Sequence, residues 1–309
     1  MARNLVVILG PTASGKTEVA ARLAWDLNGE IISADSRQVY RGMDIGTGKD
    51  LNQYIIDARN IPYHMIDIVD PQSEFNLFEF QKRFYQIFSQ ICNNGNLPIL
   101  VGGTGLYLQA VLSGYKMPEA TPELELRKEL DQKSIEELKE IFFAFKTQLH
   151  NKTDLEDKKR LIRAIEIERA RNIKDSQQET RPEIDAAVFG ISWERSVLRQ
   201  RITSRLEERL KQGMIDEVIR LHAEGMSWER LDSFGLEYRY ISQYLQNRIS
   251  FDEMKNKLNT AIHQFAKRQE TWFRRMEKNG ITIKWIRANE YDLLKESVIN
   301  TKLLSKNNP

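Results

Sequence analysis

Five apolar residues, Leu5-Val6-Val7-Ile8-Leu9, follow one another near the start of the chain with no polar position between them. A run this short, ended by Gly10-Pro11, predicts a strand buried on both faces. The spacing then changes. Glu18 to Leu27 carries its apolar residues at helical intervals, and Glu30–Ala34 returns to strand character. A further strand is predicted over His64–Val69, a helix over Leu77–Cys92, and a strand over Pro98–Val101 that enters Gly102-Gly103-Thr104-Gly105. Short strands alternating with helices predict an α/β fold with a parallel, doubly wound sheet. Ligands of such sheets bind beyond the carboxyl ends of the strands, where residues 10–17, Asp35 and Thr104 all fall.

The pattern shifts at about Ser113. Pro118 and Pro122 mark a linker, and helical periodicity runs from Glu123 to Arg171 without a strand signal. Residues 171–183 are polar and predict a loop, after which Ala187–Ile191 resumes as a strand. The economical organisation is an α/β core made of residues 1–112 and 188–309, with an inserted all-helical domain over 113–187. Leu198, Ile202, Leu206 and Leu210 recur every fourth residue as the buried stripe of a helix, and Arg201, Arg205 and Arg209 form a neighbouring stripe expected to turn away from the core. Ile281–Ile286 reads as a last strand, and the tail after Lys302 as frayed.

Composition narrows the class. The 309 residues, 41% of them hydrophobic, suffice for one large or two modest domains with a real core. Cys92 is the only cysteine, which rules out an intrachain disulfide and a zinc site built on several thiolates. No apolar run approaches the ~18 residues of a membrane span, and the first one is too short for a signal sequence, so no membrane association and a cytoplasmic location are expected. The net charge is only +2, but the basic residues cluster within 158–174, within 195–211, and at Lys267, Arg268, Arg274, Arg275 and Lys278 around Trp272 and Phe273. One such cluster is most simply a solvated helix face. Three, one of them interleaved with aromatics, point to a polyanionic partner such as nucleic acid.

Gly10-Pro11-Thr12-Ala13-Ser14-Gly15-Lys16-Thr17 is a complete GxxxxGK[ST] phosphate loop between a strand and a helix. Backbone N–H groups at a helix start cradle phosphate, Lys16 reaches the terminal phosphates, and the Thr17 hydroxyl is placed to ligate Mg²⁺. Asp35 closes the second strand, where its carboxylate could either cap a turn or take a proton from a nucleophile; position alone leaves both open. The glycine-rich segment 42–49 suits a mobile or phosphate-approaching loop, and Thr104 opens a helix toward a ligand. A base-recognition motif of the small-GTPase kind is absent, and only Asp35, Asp67 and Asp70 could serve as a second Mg²⁺ ligand, which weakens the GTPase and motor classes. A small-molecule kinase binding ATP in the loop, and an RNA-binding nucleotide switch, remain open on these residues alone.

The strings GPTASGKT (10–17), DSRQVYRGMDIGTGK (35–49), PYHMIDIVDP (62–71), GGTGLY (102–107), KRLIRAIEI (159–167), FGLEYR (234–239) and AKRQETWFRR (266–275), in this order, closely resemble those of the tRNA dimethylallyltransferases, also called tRNA isopentenyltransferases. The resemblance covers nearly the whole chain. It implies a P-loop NTPase-like core with a helical insertion, working with Mg²⁺; the oligomeric state is open, with a monomer the default expectation. The implied reaction moves a dimethylallyl group from dimethylallyl diphosphate to N6 of adenosine 37 in the anticodon stem-loop of tRNA, with diphosphate leaving. By the same resemblance, Gly10 to Thr17 cradle the diphosphate, Asp35 accepts the N6 proton, and Asp35, Ser36, Arg37 and Gln38 line the adenine site. Arg239 would stabilise the leaving diphosphate. Thr104, Arg127, Lys159, Arg160, Leu161, Ile162, Arg163, Lys267, Arg268, Gln269, Thr271, Trp272 and Arg274 would contact tRNA. Relatives that prenylate free adenine nucleotides would need neither the insertion nor the basic clusters. The chain departs from the commoner pattern twice: Gly48-Lys49-Asp50 stands where Ala-Lys-Pro is usual, and Glu237 precedes Tyr238-Arg239 where a glycine is usual.

Overall fold

The structure, a computed structural model of the chain, describes residues 3–115, 123–145, 155–173 and 181–301. The expected linker at Pro118 and Pro122, the stretch about Lys174 and the tail after Lys302 lie outside the described residues. The chain divides into two compact units, residues 1–114 with 182–309, and residues 115–181.

In the large unit, β1 (Leu5–Leu9), β2 (Gly29–Ala34), β5 (Tyr63–His64), β6 (Leu97–Gly102), β7 (Ala186–Ser192) and β8 (Lys284–Arg287) form one parallel sheet in the order β5-β2-β6-β1-β7-β8. Strand β1 is central, with Val7 opposite Leu100 on one side and Val188 on the other. Its five residues are all fully buried, and they alternate: Val6 and Ile8 pack with Ala20, Leu23 and Phe189, while Leu5, Val7 and Leu9 pack with Phe80, Phe84, Leu108 and Phe273. A parallel sheet covered on both faces has no side for polar residues, which is why this strand reads as an unbroken apolar run. Each such side chain taken out of water contributes about 1.5–3 kcal/mol.

Covering the sheet are α1 (Lys16–Asp26), α2 (Leu77–Asn93), α3 (Gly105–Leu112) and α12 (Tyr291–Ile299). Helix α2 starts where Asn76 accepts a hydrogen bond from the Glu79 N–H. A second core is mainly helical, built from α7 (Arg195–Lys211), α8 (Met214–Ala223), α9 (Trp228–Ser233), α10 (Leu236–Leu245) and α11 (Phe251–Lys278), with Val39, Tyr40, Met43 and Val69 added from loops. Ser250 and Glu253 form a reciprocal capping box that starts α11. Leu198, Ile202 and Leu206 are buried in this core, as their four-residue spacing predicts.

The strand expected over His64–Val69 is cut to two residues. Met65 and Asp67 take positive φ values of 67° and 56°, so the extended ladder ends at His64, and Val69 returns only as an isolated bridge to Tyr40. A short hairpin of β3 (Ile55–Ile56) and β4 (Arg59–Asn60) precedes it.

The small unit holds α4 (Leu124–Asp131), α5 (Ile135–Ala144) and α6 (Lys158–Ile173) around Leu126, Leu130, Leu138, Phe142, Leu161, Ile162 and Ile165. Ser134 and Glu137 cap α5 reciprocally. The buried Glu166 accepts from Arg127 at 2.6 and 3.0 Å and from Arg163 at 2.9 Å. Burial raises the Glu166 pKa, but those two guanidinium groups outweigh it and hold the carboxyl below its usual range.

Candidate active site

The phosphate loop runs from the end of β1 into α1, with Gly15 in the left-handed region at φ 82° just before the helix. Gly10 has no room for a side chain: a Cβ there would stand 2.7 Å from Ser14 Oγ and 3.0 Å from the Ile191 carbonyl. The loop is braced from behind. Trp193 donates from Nε1 to the Ser14 carbonyl at 2.9 Å, and Arg201 donates from Nε to the Ala13 carbonyl at 2.9 Å while its guanidinium lies 4.7 Å from the Trp193 ring. From α11, Gln269 accepts from the Thr12 N–H at 2.8 Å and donates to the Gly103 carbonyl at 3.0 Å, tying the loops after β1 and β6 together.

These loops open on a cavity of about 440 Å³. The sheet contributes Lys16, Thr17, Asp35, Ser36, Arg37, Gln38 and Thr104 to its wall, and the helical layer contributes Arg205, Arg209, Glu237, Arg268 and Trp272, with Phe234, Leu236, Ile262 and Phe265 as apolar surface. A second hollow of about 670 Å³ shares Lys16, Thr17, Arg205 and Arg209 with the first and adds Asp50, Arg201 and Glu208. Asp35 Oδ1 accepts from the N–H groups of Arg37 (2.9 Å) and Gln38 (3.4 Å). The aspartate therefore caps the turn after β2 and also lines the cavity, so the two roles open on sequence are compatible. The Thr104 hydroxyl accepts from the Ser36 N–H at 3.3 Å. Gln38 is held by Ser33 at 3.1 Å and donates to the Gly48 carbonyl at 3.0 Å.

Cations dominate the electrostatics. Burial lowers the Lys16 pKa to about 8, helped by the nearby Arg205 and Arg209 and opposed by Asp35. Arg205 donates to the Asp50 carboxylate, and Arg209 Nη2 lies 3.7 Å from it. Burial pushes the Asp50 carboxyl up, but the two arginines more than reverse this and hold it low. Glu237 is pushed up by burial, with Arg209 opposing.

Several expected site residues stand elsewhere. Arg239 does not line the cavity: its side chain is 47% exposed and its Nε lies 3.5 Å from Asp232. A helix turns about 100° per residue, so the face of α10 that presents Glu237 to the cavity carries Arg239 about 200° away. Arg205 and Arg209, expected to turn from the core, line the cavity instead. The second layer of helices encloses that side of α7, and Arg209 is only 8% exposed. Segment 42–49 brings Gly46, Thr47 and Gly48 to the cavity wall, and it is clamped there. Glu217 of α8 accepts from the N–H groups of Asp44, Ile45 and Gly46 at 2.7, 2.7 and 3.0 Å and from the Tyr238 hydroxyl at 2.7 Å. Lys49 is buried among the Tyr40 carbonyl, Asp44 and Asp67. Of the residues expected to meet tRNA, Lys267, Thr271 and Arg274 are exposed on α11, and Lys159 and Arg160 are exposed on α6. Leu161 and Ile162 are core, Arg127 and Arg163 are bound to Glu166, and the Gln269 amide is taken up by the two loops. Asp50 gave no sequence signal beyond its neighbourhood to Lys49. Arg205 and Arg209 were visible as a stripe whose direction was misjudged.

Cations beside apolar and aromatic walls suit a ligand that is phosphate at one end and hydrocarbon at the other, and this sets the protein among phosphate-loop transferases that act on such molecules. The sequence profile of the IPP transferase family matches residues 38–276, and that of isopentenyl transferase matches residues 3–65. The chain belongs to the IPP transferase family and is a prenyltransferase. It is 56% identical over 301 residues to tRNA dimethylallyltransferase 1 of Syntrophus aciditrophicus, covering 96% of this chain and 98% of that one. It is similar in structure to the full-length tRNA isopentenylpyrophosphate transferase of Bacillus halodurans, with a TM-score of 0.70, 31% identity, and coverage of 97% and 96%. A eukaryotic dimethylallyltransferase acting on tRNA shares the fold at a TM-score of 0.75 and 20% identity, covering 99% of this chain and 81% of the other.

Proposed function

We propose that the protein transfers a dimethylallyl group from dimethylallyl diphosphate to N6 of adenosine 37, beside the anticodon in the tRNA stem-loop, as a monomer in the cytoplasm. The observation that carries this reading is the single cavity that holds Lys16, Thr17 and Arg205 together with Asp35. The loop N–H groups, Lys16 and Arg205 bind the diphosphate and neutralise charge on its oxygens as the allylic C–O bond breaks. One well-placed donor of this kind is worth about 3 kcal/mol. Adenine N6 is a weak nucleophile, and Asp35, held at the cavity wall by the Arg37 and Gln38 N–H groups, accepts its proton as the C–N bond forms. Trp272 and Phe265 offer apolar surface to the hydrocarbon or to a base turned out of the loop, at a cost of a few kcal/mol for unstacking. Lys267, Arg268 and Arg274 supply positive charge on the same helix for the tRNA backbone.

Thr17 lines the cavity, and its hydroxyl, together with the oxygens of the diphosphate itself, would hold a Mg²⁺ ion. When bound, the ion supplies further neutralisation of the leaving oxygens.

Incubation with labelled dimethylallyl diphosphate, Mg²⁺ and unmodified tRNA, followed by nucleoside analysis, tests this. Label in N6-dimethylallyladenosine is the expected result, and Asp35→Asn should nearly abolish it while tRNA still binds. Label only on free adenine nucleotides, or phosphorylation of an acceptor from ATP, would replace the proposed reaction.

A further inference from the structure

Among the described residues, four buried side-chain polar atoms have no hydrogen-bond partner: Ser14 Oγ, Ser242 Oγ, and both Nε and Nη2 of Arg209. Two of the four thus belong to one guanidinium. Arg209 stands near the end of α7, 8% exposed, and borders both hollows beside Lys16. A buried cation with open donors is tolerated where something else supplies acceptors. Asp50 supplies part of the charge, at 3.7 Å, but its hydrogen bond goes to Arg205.

The backbone around Arg209 is cut away for it. Gly48 has φ +66°, and a Cβ there would lie 1.6 Å from Arg209 Nη2 and 2.8 Å from Arg205 Nη2. No other residue at 48 leaves the guanidinium where it is. Glu237 lines the same cavity. Gly48-Lys49-Asp50 and Glu237 are the two places where the chain departs from the commoner pattern of the sequences it resembles, and the fold sets both of them about this one side chain.

We propose that Arg209 is a second diphosphate-binding guanidinium, whose Nε and Nη2 donate to oxygens of the anion, and that residue 48 is glycine to make room for it. The assignment rests on the reading of the phosphate loop as a diphosphate site. Lys16, Arg205 and Arg209, which all line both hollows, would meet the anion together, with Asp50 beside both arginines.

Titration calorimetry on the full chain, with inorganic pyrophosphate and Mg²⁺ and separately with dimethylallyl diphosphate, tests it. Arg209→Gln should weaken both ligands about tenfold to a hundredfold, the loss expected of hydrogen bonds to a charged group. The KM for the prenyl donor should rise in step, and the affinity for tRNA should not move. Arg209→Lys should recover part of the loss, keeping the charge without the planar fork. Gly48→Ala should weaken pyrophosphate by displacing the guanidinium, and should cost much less in the Arg209→Gln background. It also carries the test alone if Arg209→Gln does not fold. Unchanged pyrophosphate affinity in either variant, with only a lower melting temperature, would make Arg209 a packing residue and overturn the proposal. In that case a wild-type chain that still transfers the dimethylallyl group leaves the proposed function standing. A wild-type chain that neither binds pyrophosphate nor transfers the group removes both.

Discussion

Arg205 and Arg239 carry the same functional group and differ in what surrounds them. Arg205 lines the cavity and is bonded to Asp50, whereas Arg239 lies in solvent beside Asp232. Arg205→Ala should therefore lower the rate of transfer by about 10²–10³, the range for removing one donor from a charge-stabilising site. Arg239→Ala should leave the rate near that of the wild type and change stability by no more than the ~0–1 kcal/mol of an exposed ion pair. Steady-state kinetics of the two variants checks this. Lys16 adds a pH dependence. Its pKa is about 8 in the folded protein against an ordinary 10.5. Between these values the unfolded chain holds the extra proton, so this residue makes stability rise with pH over that window. Diphosphate needs the charged form, so the advantage of wild type over Lys16→Met in pyrophosphate affinity should shrink as the pH passes 8. Of these residues, Lys16 and Asp35 were legible because their motifs fix local geometry. Arg205 was not, because the direction of a helix face depends on what packs beside it.

At the scale of elements, segment 42–49 shows how a glycine-rich loop is made rigid. The Glu217 carboxylate gathers three of its N–H groups and the Tyr238 hydroxyl, and Lys49 is buried among the Tyr40 carbonyl and two aspartates. Glu217→Gln removes the charge those donors are aimed at. It should cost about 1.5–3 kcal/mol in urea denaturation and speed amide exchange at Asp44, Ile45 and Gly46. Sequence pattern gave the glycines and suggested mobility, because the clamp comes from a helix some 170 positions later. The regular elements were more legible. Strands β1, β2, β6 and β7, and helices α1 and α2, were expected to within two or three residues, since their hydrophobic spacing reports burial directly. The overlong strand at 64–69 failed because two residues with positive φ, neither of them glycine, interrupt it.

For the molecule as a whole, the change of pattern near Ser113 corresponds to a second compact unit with its own core. That unit depends on the buried Glu166 that receives Arg127 and Arg163. Glu166→Gln should destabilise it by about 1–3 kcal/mol, seen as faster proteolysis within 123–173 while amide exchange in β1 is unchanged. The Glu166 carboxyl is held below its usual range, so its contribution is present at neutral pH and is lost as the pH falls through the folded value. Residues 159–163 were expected to contact tRNA; the structure divides them between exposed Lys159 and Arg160, buried Leu161 and Ile162, and Arg163, which is bound to Glu166.

The sequence by itself determined what depends on neighbours in the chain: the phosphate loop between a strand and a helix, the turn that Asp35 closes, the alternation that makes a parallel sheet, and the switch to helices. In each of these the energy comes from groups a few residues apart or from a periodic face. Only the tertiary structure decided what depends on distant segments meeting. It placed Arg205 and Arg209 of α7 over the loop that contains Gly48 and Asp50, it turned Arg239 out, and it made Gln269 a tie between two strand ends. Whether a buried charge is paid for by a partner cannot be read from spacing, because the partner is supplied by the fold.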